Sequence, residues 1–349
     1  MNPETSLGTE ERLSARLRTL YESWGYKPWK PSRFEEYELY MRNKRFLTDE
    51  RILTFTDTDG KLMALRPDVT LSFVKNAREE DLPLRVSYME SVFRAPRGGD
   101  GFREILQTGI ESVGGGGTWP GCEALLLAAK SLRIIREDGW QLDVSDMGII
   151  GDVLAGEMLE KDDRSRILSA IRGKNPHDLK EVCASTGISE KAAGLLLSLA
   201  GISGQLPAAL QELSNLPLPE TCREKTEALM EISEAADALR LSHISLDFSV
   251  VNDMSYYNGL IFQGFVRGVP RAVLSGGRYD PLLARMGKRG QAVGFAVYLD
   301  QAVQAVGIHR SERETFRIPT RGRRAAEIAL DMERVAESGR LAAAEEAEA

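Results

Sequence analysis

Two groups of short strand-forming segments, set apart by a long Leu- and Ala-rich stretch, constrain this chain more than any other feature. The first group is Ile52–Thr56, Leu62–Leu65, Leu84–Phe93 and Glu104–Glu111. Asp59-Gly60 and Gly98-Gly99-Asp100-Gly101 interrupt it. Such pairs turn hairpins, because glycine takes a positive φ at little cost. Strand character returns from Ile244 to Leu274. Helical periodicity appears at residues 9–24, with Leu13, Leu17, Leu20 and Trp24 on one face, and again at Gly121–Glu137. Mixed elements of this kind predict an α+β fold, an antiparallel sheet flanked by helices. Residues 151–240 are Leu-rich, Ala-rich and charged, with breaks at Asn175-Pro176, Gly187, Gly201 and Leu216–Pro219, and read as a helical insertion. The core is therefore expected in two pieces, 1–150 and 241–308. Residues 309–349 shift to Arg, Ala and Glu and are expected to be a charged tail, helical or disordered.

Bulk properties exclude several function classes. The 349 residues can hold one large domain or two ordinary ones, and 42% hydrophobic with 28% charged residues is ordinary for a globular chain. Net charge is -7, whereas a protein that holds tRNA usually carries a basic footprint. Cys122, Cys183 and Cys222 are widely spaced and suggest neither a zinc site nor a disulfide framework. They read as inert, buried thiols. No basic-then-apolar leader and no membrane-length apolar run is present, so a cytoplasmic protein away from membranes is expected. Gly114–Gly117 lacks the Lys-Ser or Lys-Thr that would make it a phosphate loop, and reads as a connection. His177, His243 and His309 are scattered without ligand spacing. The Arg321–Arg324 cluster is followed closely by acids and reads as a solvated helix face. No metal and no cofactor is expected.

Function is carried by an ordered series of motifs: Arg66-Pro67-Asp68-Val69-Thr70, Phe93-Arg94, Gln107-Thr108-Gly109-Ile110-Glu111, Tyr256-Tyr257-Asn258 and Gly276-Gly277-Arg278-Tyr279-Asp280. In this order the series resembles the catalytic domain of histidyl-tRNA synthetases, over about residues 10–305. Gly25-Tyr26 through Phe34-Glu35 is similar to the first class II synthetase motif, which in that family packs across a homodimer interface. Tyr88–Arg97 with Arg103 resembles the second motif, a hairpin over ATP, and Val293-Gly294-Phe295-Ala296 the opening of the third. The resemblance implies a class II synthetase-like catalytic domain. The resemblance implies roughly a hundred residues after position 300 for the family's anticodon-binding domain; about fifty follow, without strand patterning, so that domain is expected to be absent.

The resemblance breaks where ATP chemistry would occur. Charge builds on the α-phosphate during activation, and arginines must be prepositioned around it. Arg94 and Arg103 match residual second-motif arginines. The acid two places beyond Arg94 is replaced by Pro96. The arginine opening the family's Arg-Gly-Leu-Asp-Tyr-Tyr motif corresponds to Asn252, and the third-motif arginine to Gln301. One lost electrostatic donor typically costs about 10²–10³ in rate, so little adenylation is expected and no catalytic residue is assigned.

The amino-acid pocket is kept. By the resemblance, Asp68, Thr70 and Gln107 receive the α-ammonium of histidine. Glu111 and Tyr257 meet the two imidazole nitrogens, and Tyr279 lines the pocket. Asp68 stands where the family has glutamate. A histidine pocket without ATP machinery or a tRNA-reading domain is similar to the regulatory subunits of ATP phosphoribosyltransferase. That family pairs with a short-form catalytic subunit and brings L-histidine feedback to the first step of histidine biosynthesis. The implied partners are that subunit and L-histidine, with a homodimer inside a hetero-oligomer and no tRNA. Two other readings stay open: a histidine-activating, synthetase-like enzyme or synthetase fragment, and a dimeric interaction module. Whether histidine occupies this pocket or an intersubunit site is also open.

Overall fold

The computed structural model describes residues 8–43, 52–95, 101–252, 254, 256–306, 315–321, 325–337 and 341–348. Residues 13–305 form one compact unit, and Met1–Arg12 with Val306–Ala349 form a second.

Along the first half of the chain lie α1 (Thr9–Ser23), β1 (Lys27–Pro28), β2 (Phe34–Glu36), α2 (Tyr37–Arg42), β3 (Thr54–Thr56), β4 (Leu62–Leu65) and α3 (Val69–Asn76). The long hairpin β5 (Leu84–Arg94) and β6 (Arg103–Gly115) follows, then α4 (Trp119–Ile135), β7 (Trp140–Asp146) and α5 (Met147–Val153). Helices α6 (Lys161–Arg172), α7 (Pro176–Thr186) and α8 (Glu190–Gly201), strand β8 (Ser203–Gln205), and helices α9 (Leu206–Ser214) and α10 (Arg223–Ala238) occupy the stretch read as an insertion. The chain then returns through β9 (Ile244–Asp247), β10 (Leu260–Val266), β11 (Leu274–Arg278), α11 (Asp280–Arg285), β12 (Gln291–Tyr298) and α12 (Leu299–Val306).

The sheet runs in the order β1-β5-β6-β12-β11-β10-β7-β9-β8. Among the described residues of this sheet, only β1 with β5 and β7 with β9 pair in parallel. The mostly antiparallel, helix-flanked sheet is the α+β architecture expected from the sequence. Pro28, with no N–H to donate, sits on the edge strand β1, where its absence costs least. The Asp59-Gly60 turn closes β3 on β4, with Gly60 at φ +85°. This small sheet has the order β2-β4-β3.

The two faces of the main sheet are covered differently. Eleven residues of α4, from Cys122 to Ile135, are buried. On the other face Tyr40 of α2, Leu71, Phe73 and Val74 of α3, and Leu282 and Leu283 of α11 pack with Val86, Val113 and Ala292. Burying a large apolar side chain stabilises by about 1.5–3 kcal/mol, so this cluster fastens α3 and α11, the helices beside the site described below.

Two sequence expectations need correction. The buried stripe of α1 is Leu13, Ser14, Leu17 and Tyr21, while Leu20 and Trp24 are half-buried. Tyr21 lies one turn beyond Leu17, and its hydroxyl reaches Ser131 Oγ of α4 at 3.1 Å. The segment expected as a helical or disordered tail is a β-α-β unit. Strand β13 (Thr315–Arg321) pairs in parallel with β14 (Leu341–Glu348), joined through α13 (Ala325–Glu337). Propensity misses β14 because Ala and Glu are poor strand formers, and ladder hydrogen bonding outweighs that preference. Cys122, Cys183 and Cys222 are buried free thiols. No helix among the described residues is long and apolar enough to cross a membrane.

Candidate functional site

The centre of the site is Glu111, near the middle of β6. Its backbone register lies between Val86 of β5 and Gly294 of β12, so the residue is enclosed on both sides by strands. It is 1% exposed. Gly294 makes room for it, since a Cβ there would stand 2.0 Å from Glu111 Oε2. The carboxyl is not left unsatisfied. Thr70 Oγ1 donates to Oε1 at 2.6 Å, and the Tyr279 hydroxyl donates to Oε2. Burial nonetheless pushes the Glu111 carboxyl up to about 8, and the two hydrogen bonds offset only part of that. The folded protein thus favours the protonated acid at neutral pH.

Two elements bond this acid directly, the first turn of α3 and the residue after β11. Thr70 stands in the first turn of α3, whose N-terminus is capped by Asp68 through a 2.8 Å bond from the Leu71 N–H. The other Asp68 oxygen meets Arg94 Nη2 at 3.5 Å. Arg94 also donates through Nε to Pro67 O at 2.6 Å. The far end of α3 is fastened by Lys288, whose ammonium donates to the carbonyls of Val74, Lys75 and Ala77. A cation at a helix C-terminus also complements the helix dipole. Beneath α3, Glu35 accepts from Ser72 at 3.1 Å and pairs with Lys75 at 2.5 Å. The segment before it is anchored by Arg66, fully buried and bonded to Glu90 Oε2 at 2.9 Å, Ser91 O at 2.9 Å and Ser32 O at 2.6 Å.

The remaining wall is aromatic. Tyr279 follows β11 and is 2% exposed. The Tyr256 ring lies 4.4 Å from that of Tyr257, edge to face, and 6.3 Å from that of Tyr279. Tyr257 packs on Gly277, where a Cβ would come within 2.8 Å of its ring. Burial holds all three phenols above their ordinary range, so they remain donors at neutral pH.

Of the residues singled out in sequence, Thr70, Glu111 and Tyr279 are joined by direct hydrogen bonds, and Asp68 joins Arg94. Gln107 lies four residues before Glu111 in β6, hence on the same face of the strand, and is 3% exposed. Arg103 is exposed and sits opposite Arg94 in the β5–β6 register. Asn252 is half-buried, and Gln301 lies in α12, beside Asp300 at 3.4 Å. Pro96 lies outside the described residues. Sequence reasoning assigned no role to Tyr256, to Gly277 and Gly294 as space-makers, or to Lys288 as the clamp on α3. Tyr256, Gly277 and Gly294 carried a signal in their places within the quoted motifs, while Lys288 carried none. The Lys288 contacts join segments remote in sequence.

Chemically this is a largely buried polar cluster that sets the Glu111 carboxyl, the Asp68 carboxylate and the phenols of Tyr256, Tyr257 and Tyr279 near one another.

A sequence model of histidyl-tRNA synthetase matches residues 2–302. An ATP phosphoribosyltransferase regulatory subunit from Bacillus anthracis is 27% identical over 337 residues, covering 95% of this chain and 79% of that protein. One from Bacillus cereus is 26% identical over the same shares. Among solved structures, an ATP phosphoribosyltransferase regulatory subunit/histidyl-tRNA synthetase from Bacillus halodurans superposes with a TM-score of 0.80 at 24% identity, covering 97% of this chain and 88% of that one. A histidyl-tRNA synthetase from Nostoc gives 0.78 at 16% identity, with 97% and 83% covered. A chain of an ATP phosphoribosyl transferase (HisG:HisZ) complex from Thermotoga maritima gives 0.64 at 20% identity, with 83% and 97% covered. Since the family model spans residues 2–302, most of the sequence, the chain belongs to the histidyl-tRNA synthetase family.

Proposed function

We propose that this chain is a non-catalytic, histidine-binding regulatory subunit of ATP phosphoribosyltransferase. The observation that carries the reading is a contrast. The Thr70–Glu111–Tyr279 cluster is assembled and buried, whereas the positions matched to two of the family's catalytic arginines hold Asn252 and Gln301. The names of the Bacillus relatives support the regulatory role.

In this reading histidine enters with its imidazole toward Glu111 and Tyr257. A ring N–H donates to Glu111, and the Tyr257 hydroxyl serves the other nitrogen. The α-ammonium lies between Asp68, the Gln107 amide oxygen and the Thr70 hydroxyl oxygen, with Tyr279 closing the wall. Because Glu111 is poised to lose its proton, an arriving imidazole N–H favours the carboxylate form. The histidine carboxylate lacks the arginine that Asn252 replaces. Regulation requires only that histidine bind inhibited and active assemblies with different affinity. The partner is a short-form catalytic subunit, with this chain at least dimeric through its first-motif region.

The deciding experiment for the non-catalytic part is histidine-dependent pyrophosphate–ATP exchange on the purified chain. The expected result is background exchange together with a histidine-induced rise in melting temperature. Exchange at a rate typical of synthetases overturns the reading.

A further inference from the structure

A second polar site lies in the cleft between α1 and the C-terminal end of α4. It encloses about 390 Å³ and is lined by Arg16, Lys130, Arg133 and Arg136, with Leu20 and Ile134 among its apolar walls. The chain as a whole is acidic at -7, so four cations in one cleft run against the average. Their ordinary partners are missing. Arg16 and Arg133 make no hydrogen bond or ion pair among the described residues. Arg136 donates only to the backbone carbonyls of Arg267 and Ala305, at 3.3 and 3.4 Å. Lys130 faces the Trp24 ring, 5.6 Å from its centroid, and no carboxylate. The one acid on the rim, Glu137, bonds none of them.

A helix C-terminus favours cations, which accounts for Arg133 and Arg136. It accounts for neither Arg16, on a different helix, nor Lys130, more than a turn from the end of α4. The cations also act on one another: burial and the neighbouring Arg133 charge together lower the Lys130 ammonium from its ordinary value. A multivalent anion relieves that repulsion.

We propose that this cleft binds a diphosphate-bearing anion. Guanidinium forks match phosphate oxygens in pairs. A phosphate group carries roughly 1.5–2 negative charges near neutral pH, so two linked phosphates balance the cations that line the cleft. The source is a free diphosphate or the polyphosphate tail of a nucleotide, and the two share this recognition. The proposal stands apart from the histidine pocket and from the regulatory reading.

The test is isothermal titration of the full chain at low ionic strength with inorganic pyrophosphate and, separately, with ATP. The variants are Arg16→Gln, Arg133→Gln and the double substitution. The expected result is saturable binding of one anion per chain. Each single variant weakens it about tenfold or more, and the double variant abolishes it. Unchanged melting temperatures and unchanged stabilisation by histidine establish that the variants are folded. Pyrophosphate binding at least as tightly as ATP identifies the free anion as the source, and tighter ATP identifies the nucleotide. Absence of saturable binding by both anions, or binding that the double variant leaves intact, overturns the proposal.

Discussion

Replacing Glu111 with glutamine keeps the shape of the site and removes its titration. Burial raises this carboxyl from 4.5 to about 8. Each tenfold change in proton affinity corresponds to about 1.4 kcal/mol, so holding Glu111 ionised costs the folded state on the order of 5 kcal/mol. The sign follows from which state holds the proton. Between pH 4.5 and about 8 the unfolded chain has released it and the folded chain keeps it. The stabilisation from this group is therefore complete below pH 4.5, falls as pH rises and is gone above about 8. Denaturant unfolding of wild type and Glu111→Gln across this range measures it. The wild type should lose stability relative to the variant by up to about 1.4 kcal/mol per pH unit, and the difference should level off above the folded-state value. Histidine affinity should fall about ten- to a hundredfold in the variant, from the loss of a charged partner worth about 1.5–3 kcal/mol. Parallel pH profiles for the two proteins refute the buried-acid argument. Unchanged affinity for histidine refutes the role of Glu111 as its partner.

Other consequences follow from the same contacts. Tyr279→Phe removes the donor to Glu111 Oε2 and should raise the carboxyl further. Its midpoint, followed by NMR of the Glu111 side chain, should move up, while an unmoved midpoint contradicts the assigned bond. Gly294→Ala places a Cβ 2.0 Å from Glu111 Oε2 and 2.5 Å from Ile110 O. Overpacking of this kind costs about 1–3 kcal/mol or more, and thermal shift should show a lower melting temperature and no stabilisation by histidine. Glu90→Ala leaves the fully buried Arg66 guanidinium without its counter-charge. Unfolding free energy should drop by about 3–5 kcal/mol, and a drop comparable to an exposed pair would contradict the burial.

Sequence periodicity made the main sheet legible because hairpin turns such as Asp59-Gly60 and the long alternating runs of β5 and β6 are local signals. Helix α1 was legible in position but shifted in phase, since Tyr21 and Leu20 are adjacent and the tertiary contacts of Tyr21 with Ser131 and Phe295 go with its burial. The β-α-β unit after residue 306 escaped notice because Leu341–Glu348 has neither β-branched residues nor alternation. At the site, residue types pointed to Glu111, Thr70 and Tyr279, but not to the bonds among them. Those bonds join β6, α3 and the end of β11, which only the fold brings together. The Lys288 clamp on α3 spans more than two hundred residues of sequence and left no trace in it.

The most direct test of the central claim is reconstitution with a short-form ATP phosphoribosyltransferase catalytic subunit from the same cell. Phosphoribosyl transfer is measured with the catalytic subunit alone, with this chain added, and with this chain plus L-histidine, alongside size-exclusion chromatography of the mixture. The account predicts one hetero-oligomeric species, a rate well above that of the catalytic subunit alone, and inhibition by histidine that Glu111→Gln shifts to higher concentration. Separate elution with no gain in rate would contradict it, and so would a complex that histidine inhibits identically with wild type and Glu111→Gln.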